Sequence, residues 1–180
     1  MSRLLAVAAV GLLAIAGVAC GGDGDGDGGG VGDGGGVGAD DGFVADIRPA
    51  IDAIESELGA GQAFFEITAS RQVINLFVAV DDATAALPYV FLDGELQPPA
   101  PKLTGASGFT FAGNALDFDE VSILDAVSSE LPDSTIEALS IEGGDGGTVR
   151  YVVATLSPGG GRLDVTVSSD GAVLEVDPVS

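Results

Sequence analysis

The chain has 180 residues, with six Lys and Arg against 28 Asp and Glu, a formal net charge of −22. It has no His, no Trp and one Cys, which excludes His-based nucleophilic triads, imidazole zinc sites and any intramolecular disulfide or Cys cluster. Such an acidic balance repels phosphate backbones, so nucleic acid is not an expected partner.

Residues 1–19 read as an export signal. Arg3 supplies a positive start, and Leu4 to Val18 is an unbroken run of Leu, Ala, Val, Ile and Gly. The run is shorter than the roughly 20 apolar residues of a spanning helix and suits the apolar core of a signal peptide. It ends in Gly17-Val18-Ala19-Cys20, with the only cysteine of the chain directly after small residues. This resembles the lipobox of bacterial lipoproteins. The resemblance implies cleavage before Cys20 and a diacylglyceryl group on its thiol. Buried acyl chains contribute about 0.8 kcal/mol per CH₂, and two signals hold a protein where one does not. The expected location is therefore the extracytoplasmic face of a cell membrane, through the Cys20 lipid anchor.

With Cys20, residues 21–42 form the expected tether, 22 positions holding 13 Gly and six Asp. They bury too little apolar area to offset backbone entropy, and their reach as a coil is about 26 Å. Asp23-Gly24-Asp25-Gly26-Asp27-Gly28 copies the start of an EF-hand loop, but Gly34 stands where that loop needs a bidentate Glu. No metal site and no cofactor is expected.

Residues 43–180 are expected to make one globular domain. Val44, Ile47, Ile51, Ile54 and Leu58 form one stripe of an amphipathic helix, with Asp46 as its N-cap and Gly59 as its stop. Strands are expected over Ala63–Ala69, Gln72–Val80 and Leu87–Gln97, the last holding the hairpin dipeptide Asp93-Gly94. Pro98–Ala115 reads as a linker. A second helix opens at Asp117, with Glu120 at capping-box spacing and a stripe of Phe118, Val121, Leu124, Val127 and Leu131. Strands follow at Ser134–Ile141, Thr148–Leu156 and Arg162–Val176, the last holding Asp170-Gly171.

The halves repeat. Ser56-Glu57-Leu58 matches Ser129-Glu130-Leu131 at an offset of 73, and Asp93-Gly94 matches Asp170-Gly171 at an offset of 77. The expected fold class is α+β. Two α-β-β-β repeats, residues 43–97 and 117–178, form antiparallel sheet with two helices on one face. The phrase Val165-Thr166-Val167-Ser168-Ser169-Asp170-Gly171-Ala172-Val173, ending a helix-plus-meander unit, resembles the PepSY domain. Tandem units of this size also resemble the beta-lactamase-inhibitor-protein fold. These resemblances imply a non-enzymatic, extracytoplasmic module that restrains peptidases.

Catalytic residues are not expected. Lys102 has Pro99 where a Ser-x-x-Lys dyad needs serine. Carboxylate pairs such as Asp81-Asp82, Glu55 with Glu57, and Asp117 with Asp119-Glu120 sit at expected turns and helix ends. Arg71 and Arg150 read as charge balance beside hairpin turns. Among the aromatics, Phe64, Phe65, Phe77, Phe91, Phe109, Phe111 and Phe118 are expected mostly in the core. Tyr89 and Tyr151 are the candidate contact residues on a sheet face left open by the helices. The expected function is a membrane-anchored protein-binding or peptidase-restraining module for an envelope or secreted protein. The alternative is a carrier of a lipid or small apolar ligand between helices and sheet.

Overall fold

A computed structural model describes residues 42–179. The signal at 1–19, Cys20 and the tether up to residue 41 lie outside the described residues. A one-turn helix α1 (Gly42–Ala45) leads into α2 (Ile47–Leu58). Asp46 joins them in helical conformation and its side chain caps nothing, which corrects the expected N-cap. The chain is already helical a turn earlier, so the free N–H groups lie before Asp46. Ile47, Ala50, Ile51 and Ile54 are buried at helical spacing. Leu58, expected in the same stripe, is 37% exposed. Gly59 takes φ 97° and donates its N–H to the Glu55 carbonyl at 2.9 Å, closing the helix.

The second long helix, α3, spans Glu120–Glu130. Its N-cap is Asp119, whose Oδ1 accepts from the Ser122 N–H at 3.0 Å, not Asp117. The later start leaves Phe118 outside the helix and buried in the core. Ile123, Leu124 and Val127 make the buried stripe, whereas Val121 is exposed and Leu131 only partly buried.

The strands are β1 (Ala63–Ser70), β2 (Ile74–Val80), β3 (Ala85–Leu92), β4 (Glu95–Leu96), β5 (Leu103–Thr104), β6 (Phe111–Ala112), β7 (Thr135–Gly143), β8 (Val149–Leu156), β9 (Arg162–Val167) and β10 (Val173–Val179). All ten join one antiparallel sheet in the order β10-β9-β8-β7-β1-β2-β3-β4, with β5 on β3 and β6 on β1. The architecture is α+β. Two details differ from expectation. Each Asp-Gly turn divides one expected strand in two, and the expected linker contributes β5 and β6.

The two turns divide their strands differently. Asp93 and Gly94 both take positive φ, 53° and 80°, the two-residue hairpin geometry that follows strand twist. At the other, Gly171 alone is left-handed, φ 87°, and Ser168 donates its N–H to the Ala172 carbonyl while its hydroxyl accepts the Ala172 N–H, both at 2.9 Å, across a three-residue loop. The central seam is β1 against β7, where Ile67 faces Ile141 and Glu66 faces Glu142. Outward from this seam the chain lays β2, β3 and β4 on one side and β8, β9 and β10 on the other.

One hydrophobic cluster holds both helices and both sides of the sheet. Ile47 and Ile54 of α2 and Leu124 and Val127 of α3 pack with Phe64, Ile67, Leu76, Val78, Leu139, Ile141, Val153 and Val165. The Arg48 guanidinium on α2 donates to the Leu116 carbonyl at 3.4 Å and lies 5.6 Å from the centre of the Phe118 ring. Phe118 in turn packs on Tyr151 at 5.1 Å between ring centres. This chain of contacts ties the first helix to the second half of the sheet. Thr155 is the one orphan in this cluster's neighbourhood among the described residues: it is fully buried and its hydroxyl has no hydrogen-bond partner. An unpaired buried hydroxyl costs about 1–3 kcal/mol. Thr155→Val is therefore expected to raise stability by up to that amount, read as a higher denaturation midpoint at unchanged m-value.

Candidate binding surface

The expected contact residues do not lie on a surface. Tyr89 and Tyr151 are each 3% exposed and belong to the core cluster, which corrects that assignment. In β3 and β8 it is the alternate residues that face outward. Burial pushes both phenols above their ordinary range, and the Glu57 carboxylate adds to the effect at Tyr89. Of the seven phenylalanines assigned mostly to the core, Phe64, Phe91, Phe111 and Phe118 are buried, Phe65 and Phe77 half-buried and Phe109 exposed.

The charged groups read as turn and surface chemistry. Lys102 pairs with Asp81 at 2.6 Å, and both are exposed. Arg150 donates through Nε and a terminal nitrogen to one Glu142 oxygen, at 3.1 and 2.8 Å. Glu55 accepts from the Gly61 N–H at 3.0 Å. Arg71 lines an open cleft of about 130 Å³ with Asp46 and Asp93, and Arg48 lines one of about 200 Å³ with Asp52, Glu55 and Asn114. Both are smaller than the roughly 300–1,000 Å³ of ordinary ligand pockets. No group of three or more Cys, Asp or Glu is placed to hold a metal ion among the described residues. No described helix is long and apolar enough to cross a membrane.

What the fold does present is the sheet face opposite the helices. Register sets its composition. One row across it runs Val90, Asn75, Thr68, Ser140, Val152 and Thr166, with Glu175 at the β10 end. The next row runs Pro88, Phe77, Glu66, Glu142 and Arg150. The Thr68 hydroxyl donates to Glu66 at 2.6 Å and lies 3.2 Å from the Ser140 hydroxyl, so the centre of the face is a short polar ladder. Sequence reasoning missed these residues. In β1, β2, β7 and β9 their signal is the polar residue at alternate positions, such as Thr68, Asn75, Ser140 and Thr166, whereas β3 and β8 place Val90 and Val152 there and give none.

Among the described residues β10 pairs only with β9 and forms one border of this face. Every residue from Leu174 to Val179 is exposed, Leu174 by 65%. Asp177 of β10 sits directly opposite Asp164 of β9. Burial holds the Asp164 carboxyl above the usual range, Glu142 and Asp177 add to this, and Arg150 and Arg162 oppose it. No family model, curated protein or solved structure matches the chain.

Proposed function

We propose that the chain is an extracytoplasmic lipoprotein, tethered through Cys20 and residues 21–42, whose folded domain binds a protein and catalyses no reaction. The observation that carries the binding reading is the one-sided architecture. Both helices bury their stripes in one core with Ile67, Leu76 and Leu139, and the alternate strand residues Thr68, Phe77, Val90 and Ser140 are only half-buried. A mixed polar and apolar face on which Phe77, Val90 and Thr166 are half-buried has the composition of a non-obligate protein interface. The two α-β-β-β repeats and their likeness to PepSY modules support the same reading. Ile67 of β1 pairs with Ile141 of β7, a like pair that suits this repeat reading. Their separation of 74 falls between the two offsets in the sequence. The carrier reading is the weaker alternative, since neither cleft reaches the volume an apolar ligand needs.

Two results test this. Cys20→Ala is expected to move the chain from the membrane to the soluble fraction at both low and high salt. The tether carries no basic residue to hold an anionic surface. A mutant that stays with the membrane as fully as wild type ends the lipoprotein reading. Separately, Phe77→Lys with Thr166→Lys is expected to lose the protein captured from detergent-solubilised envelope by the wild-type chain. Equal capture by both forms removes the sheet face from the proposal.

A further inference from the structure

We infer that β10 is a docking edge for an extended partner segment that alternates basic and apolar side chains, an inference that rests on the protein-binding reading above. Strands at a sheet border present unpaired N–H and C=O groups that template a further strand. Here the opposite border is cut into the two-residue pieces β4 and β5, whereas β10 runs seven residues. Two irregularities delimit its usable length: a bulge between Val173 and Glu175, and Pro178.

Proline fits an edge strand where its missing N–H would point away from the ladder. Pro178 pairs with Leu163 in regular register, so its backbone faces the free side. By strand alternation the Val176 N–H and C=O face the same way. They supply the anchor, with the Pro178 carbonyl beyond it.

The two faces of the edge differ in chemistry, and this selects the occupant. On the open-sheet side stand Glu175 and Asp177, with Asp164 directly behind Asp177 on β9. Among the described residues neither aspartate has a hydrogen-bonded or ion-paired basic partner, and Arg162 of β9 is committed to Glu137 at 3.0 Å. Like charges opposite each other destabilise a strand pair. A Lys or Arg laid alongside would relieve this pair. On the helix side Val176 and Pro178 continue the rows that run Val153–Val165 and Thr155–Leu163, and Val176 is 40% exposed. An apolar partner residue there would bury Val176. A second copy of this chain is the wrong occupant, because antiparallel β10 strands centred on Val176 would set Glu175 of each copy against Asp177 of the other, in a protein of net charge −22.

The test uses the full detergent-solubilised chain and two synthetic heptapeptides of one composition. One alternates Lys and Val, and the other is a block of four Lys followed by three Val. Hydrogen exchange is followed over residues 173–179. At ten times its dissociation constant the alternating peptide is expected to slow exchange there about tenfold. The block peptide should leave this segment unprotected, and Glu175→Lys with Asp177→Lys should abolish the protection without lowering the melting temperature. Equal protection by both peptides, or none on β10, overturns the edge and leaves the open-face capture result standing. Protection that rises with protein concentration and needs no peptide overturns it in favour of self-association.

Discussion

Neither residues 43–99 nor residues 115–180, expressed alone, will show a cooperative thermal transition, and core truncations in the intact chain will lower a single shared one. Each half supplies one long helix and one meander. A chain of about 60 residues buries only about 60% of its surface and is marginal without a staple. The chain contains no disulfide to provide one. The intact domain instead joins both helices in one cluster and ties them through Arg48, Leu116, Phe118 and Tyr151. Ile54 and Leu124 are both fully buried, one in each half. Ile54→Ala and Leu124→Ala should each cost about 2–5 kcal/mol, the range for deleting a large core side chain. Leu58→Ala should cost far less, since Leu58 lies over a third exposed. Circular dichroism melts of the five proteins decide the matter. Two independent transitions that match the isolated halves would sink the single core.

Gly171→Ala will destabilise the chain much more than Gly160→Ala, although both glycines are left-handed, with φ of 87° and 81°. Forcing alanine into that region costs about 1–2 kcal/mol, and this part is common to both. The difference lies in what surrounds them. A Cβ at Gly160 would meet nothing within 4 Å, whereas at Gly171 it would lie 2.7 Å from the Ser122 carbonyl oxygen on α3. Backbone cannot swing aside as a side chain can, so overpacking adds about 1–3 kcal/mol. The same turn accepts the Asp119 N–H at the Ser169 carbonyl, 3.4 Å away, so displacing it loosens the start of α3. Urea denaturation of the two variants measures the gap. Equal losses would mean that the turn does not press on the helix.

The helices and strands were legible in the sequence because their apolar periods are strong. The stripe through Ile47, Ile51 and Ile54, the runs in β2 and β7, and both Asp-Gly turns fall where the pattern puts them. Caps were less legible. Asp46 and Asp117 both have capping chemistry, yet the first lies inside continuous helical backbone and the second two residues before the true cap. Strand phase was the larger loss. In Tyr89-Val90-Phe91 and Tyr151-Val152-Val153 the alternation carries no polar partner, so nothing local says which residues face the helices. Cross-strand register decides it: Tyr89 sits opposite Leu76, and Tyr151 opposite Ile141. The candidate surface was missed for the same reason, as its residues come from strands far apart in the chain. The order of strands, and with it the free edge at β10, depends on pairings that no short window contains.

The seam between β1 and β7 also bears on how the molecule assembles. The meanders on either side close over short turns, but Ile67 and Ile141 must meet across 73 intervening residues. Non-local ladders form slowly, because loop closure comes before the contacts that reward it. Until the seam closes, each half carries a bare strand that a second chain can match with the same residues, which is the route to a swapped dimer. The connecting segment works against that exchange. Its β5 pairs with β3 and its β6 with β1, so the link between halves is itself woven into the first half. Thr110 and Phe109 then pass so close to Gly143 that a side chain there would strike their backbone. The link delivers the second half to the first at a fixed place, and chain connectivity rather than encounter between molecules sets which β7 each β1 receives.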